Sequence, residues 1–148
     1  LTKLKIIAEA PNADEYRVGA TPVSAVLQLA AFGLEGETLI AQGDISGAIE
    51  AFRSGVEIED QNNYTEPPDW AQPMRHYLGA ALLKAGQPEA AEAVYRQDLR
   101  WNQNNGWSLF GLHQALAAQN NKGEVSEVFN QWQKAWETAD VTLTASHL

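Results

Sequence analysis

The chain has 148 residues, 45% of them hydrophobic and 20% charged, with nineteen acidic residues against ten basic ones for a net charge of -9. That length suits one domain with a sizeable core, and the acidic balance opposes phosphate backbones, so nucleic-acid binding is not expected and a basic partner is favoured by charge. Cysteine is absent, which excludes disulfides, thiolate metal sites and cysteine nucleophiles together.

The first residues, Leu1-Thr2-Lys3, show neither a methionine nor a signal peptide. They read as part of a longer, cytoplasmic protein. A first helix is expected over residues 2–10. The most apolar run, Val23 to Leu34, spans twelve residues, against the roughly twenty that a membrane span needs. It is read as the first half of a helix over 22–42, apolar almost all round and so covered on several sides, and no membrane span is expected. Thr21-Pro22 places proline at the start of that helix.

Ile45, Ala48, Ile49, Phe52 and Val56 form one face of a helix over 44–58, with Asp44 as its N-cap. Residues 61–69 make the one long polar loop, with Pro67 and Pro68 inside it. Asp69 is read as the N-cap of a helix over 70–85, where Met74, Tyr77, Leu78 and Ala81 share a face. Gln87-Pro88 opens a helix over 88–100, carrying Ala91, Val94, Tyr95 and Leu99. Asn105 caps a helix over 106–119. Val125, Val128, Phe129, Trp132, Ala135 and Trp136 mark the last helix, over 123–138. Strand alternation is confined to Val141-Thr142-Leu143-Thr144 in the tail, 141–148.

A repeat lies under these helices. Gly36 precedes Gly43 by seven residues, as Gly79 precedes Gly86; Ala48 and Ala91 follow the second glycine by five, and Phe52 and Tyr95 come four later. The two units are offset by forty-three residues. Glycine within a helix costs about 1 kcal/mol relative to alanine, so its recurrence at one register implies a close backbone approach at Gly36 and Gly79. Gly43 and Gly86 are placed at left-handed helix ends. Phe52 and Tyr95 are expected to fill the space between successive helix pairs.

These residues resemble the tetratricopeptide repeat. Phe32 to Asp60 carries Gly36, Leu39, Gly43-Asp44, Ala48-Ile49 and Phe52 of the family pattern; Tyr77 to Gln103 carries Leu78-Gly79, Leu82, Gly86, Ala91 and Tyr95. A third unit, from Trp107 to about Asp140, keeps Trp107, Phe110-Gly111 and Phe129. It departs at the Asn120-Asn121 turn and at Val125, where a small alanine is usual, so its packing is expected to be looser or shifted. Further departures are Arg75 in place of a bulky apolar residue, and the forty-three-residue offset against a family period of about thirty-four. The C-terminal part, from Tyr64 to Ser146, resembles the end of longer bacterial proteins of this kind whose function is not established.

The resemblance implies an all-α fold, a right-handed superhelix of antiparallel helix pairs, in a single domain over 1–148. Its parts would be a partial opening helix within 1–21, pairs near 22–60, 70–103 and 105–140, and the tail. It also implies a non-catalytic protein–protein interaction module, with no cofactor, holding a protein or peptide along the concave first-helix side. Carried onto this chain, that side presents Glu37, Ile40, Pro73, His76, Tyr77, Lys84, Ser108, Leu109 and Leu112. Tyr64 and Trp70, in and after the long loop, are added as exposed aromatic contacts, because tryptophan and tyrosine are enriched at binding hot spots. Two alternatives stay open. One is a capping and dimerising segment of a longer solenoid, giving a homo-oligomer; the other is a helper domain of an enzyme whose site lies elsewhere.

Catalytic patterns are weak. Gly106-Trp107-Ser108-Leu109-Phe110-Gly111 lacks the glycine spacing and the preceding strand of a nucleophile elbow, so Ser108 is read as a first-turn helix residue. His76, His113 and His147 lie far apart, without the i, i+4 pairing of a helical zinc site, and no metal site is expected. His76 is taken as a solvent-facing groove contact. The acidic clusters, such as Glu57 with Glu59-Asp60, read as solvated helix faces. Asn63-Tyr64-Thr65 matches a glycosylation acceptor by coincidence, and Glu66-Pro67-Pro68 reads as a rigid turn.

Overall fold

A computed structural model describes residues 1–62 and 65–147, with Lys122 through its backbone alone. The chain divides into two compact units, Leu1–Met74 and Arg75–Leu148. Among the described residues there are seven α-helices: α1 (Thr2–Ala8), α2 (Val23–Gln42), α3 (Ile45–Gln61), α4 (Met74–Lys84), α5 (Pro88–Trp101), α6 (Gly106–Ala118) and α7 (Lys122–Ala135). The fold is therefore all-α in class, and each helix lies close to the span that apolar periodicity predicts.

The helix ends explain why these segments reverse where they do. At the end of α2, Gly43 sits at φ +85°, its N–H donating to Ile40 O (3.1 Å) and the Asp44 N–H to Leu39 O (2.9 Å). α4 ends the same way: Gly86 is at φ +70°, with Gly86 N–H to Leu83 O (3.0 Å) and Gln87 N–H to Leu82 O (2.9 Å). α6 repeats it once more with asparagine, which tolerates the left-handed region better than most residues. Asn120 is at φ +58°, its N–H reaching Ala117 O (3.1 Å) and that of Asn121 reaching Leu116 O (3.1 Å). At each of the three helix ends one such pair of backward bonds satisfies two of the orphan carbonyls. The next helix starts at once, with Asp44 accepting from Gly47 N–H (2.9 Å) and Pro88 at the first position of α5. Asn105 caps α6, accepting from the N–H groups of Trp107 (2.9 Å) and Ser108 (3.2 Å).

In the first unit α2 packs on both α1 and α3. Gly36 lies under the Phe52 ring, and a Cβ there would come 2.7 Å from Phe52 Cδ1. Ala48 is wholly buried beside this contact. Lys5 Nζ pairs with Glu35 at 2.8 Å and ties α1 to α2. The cover over α2 is thinner than its apolar sequence implies: only Leu29, Ala31 and Gly36 are fully buried, and Leu34 is exposed. By length and composition alone α2 is also long and apolar enough to cross a membrane.

Two expectations in this unit are corrected. Strand structure is found not in the tail but in a short antiparallel hairpin, β1 (Arg17–Val18) with β2 (Thr21–Pro22), whose two-residue strands are too short to leave an alternating pattern. Asp69 is not a helix cap, because α4 begins at Met74. Its carboxylate instead accepts from Ala20 N–H (3.1 Å), Thr21 N–H (3.1 Å) and the Thr21 hydroxyl (2.8 Å), holding the hairpin turn to the end of the long loop. Met74, at the last position of this unit, packs on Gly55, and its N–H donates to Glu59 (2.9 Å).

In the second unit α5 packs on α6 and α6 on α7. Tyr95, fully buried, inserts its ring between α4 and α6: a Cβ added at Gly79 or at Gly111 would come 2.6 Å from its hydroxyl oxygen in either case. The contacts of α6 with α7 differ from the Gly36–Phe52 and Gly79–Tyr95 pairings, although α6 ends in the same turn geometry as α2 and α4. Phe129 meets His113 (ring centroids 5.0 Å apart), two residues beyond Gly111, so Gly111 is left free to receive Tyr95. Trp132 packs on Phe110 and Trp136 edges onto Trp107, which closes the end of the unit.

Candidate functional site

The densest polar chemistry in the chain is inside the second unit. Asp98 falls three residues after Tyr95 and seven after Ala91, on the face of α5 that turns inward. It is 1% exposed, and its carboxylate gathers three helices' worth of donors. Ser108 Oγ–H on α6 donates to Asp98 Oδ2 at 2.5 Å, His76 Nε2 on α4 lies 3.3 Å from the same oxygen, and Asn102 Nδ2 donates to Oδ1 at 2.9 Å. Beside it a second set joins the tail: Ser146 Oγ–H donates to the His76 carbonyl (2.7 Å) and lies 2.7 Å from the Tyr95 hydroxyl. His76, Ser108 and Ser146 are all 0% exposed.

Serine, histidine and aspartate together invite comparison with a hydrolase triad, but the connectivity differs. In a triad the base sits between nucleophile and carboxylate. Here Asp98 is the hub, with Ser108 and His76 both bonded to it, and the group is sealed from solvent. Such an arrangement cross-links three helices and gives its buried polar groups shared partners, with His76 Nδ1 alone of the ring's two nitrogens left without one. Burial pushes the Asp98 carboxyl up; the hydrogen bond and charge of His76, with the bonds from Ser108 and Asn102, outweigh it and hold the group below its ordinary value of 3.8. Burial also raises the Tyr95 phenol well above its usual range.

The Asp98 shift has a defined sign. A carboxyl depressed in the folded state adds stability that is complete above its unfolded value and lost as pH falls through the folded one. Urea titrations at stepped pH should therefore show a fall in stability below about pH 4 that is steeper for the wild type than for Asp98→Asn. Parallel acid limbs in the two proteins would contradict this assignment.

No protein-family model matches this chain, and no curated protein matches it.

The residues singled out from sequence are scattered by burial. In the first unit Glu37, Ile40 and Pro73 are half-buried. Trp70 is not the open aromatic expected: it is half-buried and its indole N–H is shielded. Tyr64 lies outside the described residues. In the second unit Lys84 is exposed and Tyr77 half-buried, its ring stacked on His147 at 5.0 Å. His76, Ser108, Leu109 and Leu112 are corrected: all four are at most 3% exposed and belong to the interior. The first-turn polar residues His76 and Ser108 point at Asp98 rather than at solvent. Among the described residues no three histidine, aspartate or glutamate side chains gather as a metal would require.

Sequence reasoning missed Asp98 and Ser146. A signal for Asp98 existed, since a charged residue in register with Ala91 and Tyr95 on an apolar stripe calls for buried partners. Ser146 had none, because its partners are 51 and 70 residues away.

Proposed function

We propose that this chain is a tetratricopeptide-like helical repeat module that binds an extended segment of another protein and performs no catalysis itself. The observation that carries this reading is the recurrence of one helix-end geometry at Gly43, Gly86 and Asn120. The last interval is thirty-four residues, the family period. Modules of this kind stack helix pairs and present the first helix of each pair to an extended ligand. The inward use of Ser108 and His76 leaves those polar groups to hold the scaffold, and the side chains left to meet a ligand are the exposed Lys84 with the half-buried Tyr77 and Gln114, which His147 and Thr144 of the tail also contact. An acidic chain with this face favours a segment of basic overall charge.

The dimerising reading gains nothing from the last helix. Phe129, Trp132 and Trp136 on and after α7 are half-buried, occupied by His113, Phe110 and Trp107.

The test is affinity capture from the native cell with the wild-type chain and with Tyr77→Ala/Lys84→Glu. A partner retained by the wild type should be depleted at least tenfold in the variant, with thermal unfolding unchanged apart from a small shift. A partner held equally by both would place binding on some other surface.

A further inference from the structure

Among the described residues, the tail after α7 has no helix or strand, yet it is not loose. Leu143 is 7% exposed and Ser146 0% exposed, while Val141, Thr142 and Thr144 between and before them face solvent. Helix side chains hold it along its length. The Trp136 indole N–H donates to Val141 O (2.7 Å), and Gln114 Nε2 on α6 donates to Thr144 O (3.3 Å). Ser146 then meets the Tyr95 hydroxyl (2.7 Å) and the α4 carbonyl of His76 (2.7 Å), and His147 stacks on Tyr77 of α4 at 5.0 Å with 27° between the ring planes.

The order of these contacts gives the path. Because Tyr95 stands between Gly79 of α4 and Gly111 of α6, its hydroxyl marks the seam between those two helices. The tail touches α6 at Thr144, the seam at Ser146 and α4 at His147. It crosses the first helices of two successive pairs, bending at residues 144–146, and so lies across the side on which a helical repeat holds a peptide. The chemistry at each step is also specific. Position 143 places an aliphatic group out of solvent. Position 146 offers an acceptor and a hydroxyl in a closed space that admits a small hydroxyl-bearing side chain. Position 147 presents a flat ring to Tyr77.

We propose that the α4–α6 face is a docking strip for a peptide with an aliphatic residue three positions ahead of a serine and a planar ring directly after that serine. Val141–His147 is its resident occupant, and a partner segment of the same chemistry binds by displacing it. This rests on the peptide-binding reading above. A tethered occupant competes at an effective concentration in the millimolar range for a short linker. The free face is then a minor population and the apparent affinity of an incoming segment falls in proportion.

The chain contains no cysteine, so Ser146→Cys introduces one thiol at the seam. Its reaction with a small disulfide reagent is followed in native buffer and in low urea. Labelling that proceeds at a rate independent of low urea supports the proposal, because only a local opening is needed. A rate that climbs with urea in parallel with global unfolding shows a tail that leaves only with the core, and overturns it. In the second measurement a fluorescein-labelled peptide of residues 139–147 is titrated onto the full wild-type chain and onto full-length Leu143→Asp/Ser146→Arg, which ejects the tail. The variant should bind at least tenfold more tightly, and the peptide carrying Ser146→Arg should bind neither. Equal binding to both folded chains overturns the proposal. The thiol result concerns the tail alone and the captured partner concerns the face, so the two readings fail separately.

Discussion

Replacing Asp98 with alanine is expected to destabilise the second unit by about 3–5 kcal/mol, the range for removing one partner of a buried charged pair. The cause is not the volume of the lost carboxylate but the three groups left behind. His76 and Ser108 lose their common acceptor inside a region at most 1% exposed, and Asn102 loses the bond that closes the end of α5. Each abandoned polar group adds a desolvation penalty of about 1–3 kcal/mol. Asp98→Asn keeps the shape and one acceptor, so it should fall between wild type and alanine. The measurement is the urea midpoint at neutral pH. A loss below about 1 kcal/mol for alanine would mean that the three helices are held together by apolar packing with the polar group as a passenger.

Alanine at Gly111 is the second large effect, and its sign is the opposite of what helix propensity implies. Propensity alone favours alanine by about 0.5–1 kcal/mol. Against it, the new Cβ would sit 2.6 Å from the Tyr95 hydroxyl oxygen, and the ring has no room to move because Gly79 approaches from the other side at the same distance. Ser146 holds the hydroxyl as well. Overpacking of this kind costs about 1–3 kcal/mol, and a ring fixed on two sides belongs at the upper end, for a net loss of about 2 kcal/mol. Gly33→Ala is the internal control, because nothing lies within 4 Å of the added Cβ, and it should gain about 0.5–1 kcal/mol. The decisive comparison is a double-mutant cycle: in a Tyr95→Ala background the Gly111→Ala change should become neutral or favourable. A penalty that persists without the ring would remove Tyr95 as its cause.

The fold was largely readable because its determinants are local. Helix periodicity, the glycines at 43 and 86, the caps at Asp44 and Asn105, and Pro88 at the start of α5 each act within one turn of the residue concerned. The close approach at Gly36 and Gly79 was legible too, since the same spacing occurs twice. What sequence could not supply were pairings across distance. Asp69 looks like a helix cap until its partners prove to be 48 and 49 residues upstream. The hairpin that supplies them has strands of two residues, too short for any periodicity. His76 and Ser108 were read as surface residues because polar side chains in a first helical turn usually are. An aspartate on the inner face of α5 draws both of them inward. In the tail the alternation of Val141 to Thr144 pointed to a strand that does not form, and its placement rests on partners far away in sequence, such as Tyr95 for Ser146 and Tyr77 for His147.

Tyr95 also bears on how the second unit comes apart. In arrays of stacked repeats, each pair can fray from its neighbour at the loss of one interface, and stability behaves as a sum of small domains. A ring that is wedged against glycines of two successive pairs, with its hydroxyl bound to the chain's last segment, belongs to all of them at once. Pulling away either pair uncovers the same aromatic surface, so the intermediate with one pair detached loses the benefit twice over. The helices around Tyr95 are therefore expected to melt together rather than stepwise, even where the tail opens alone.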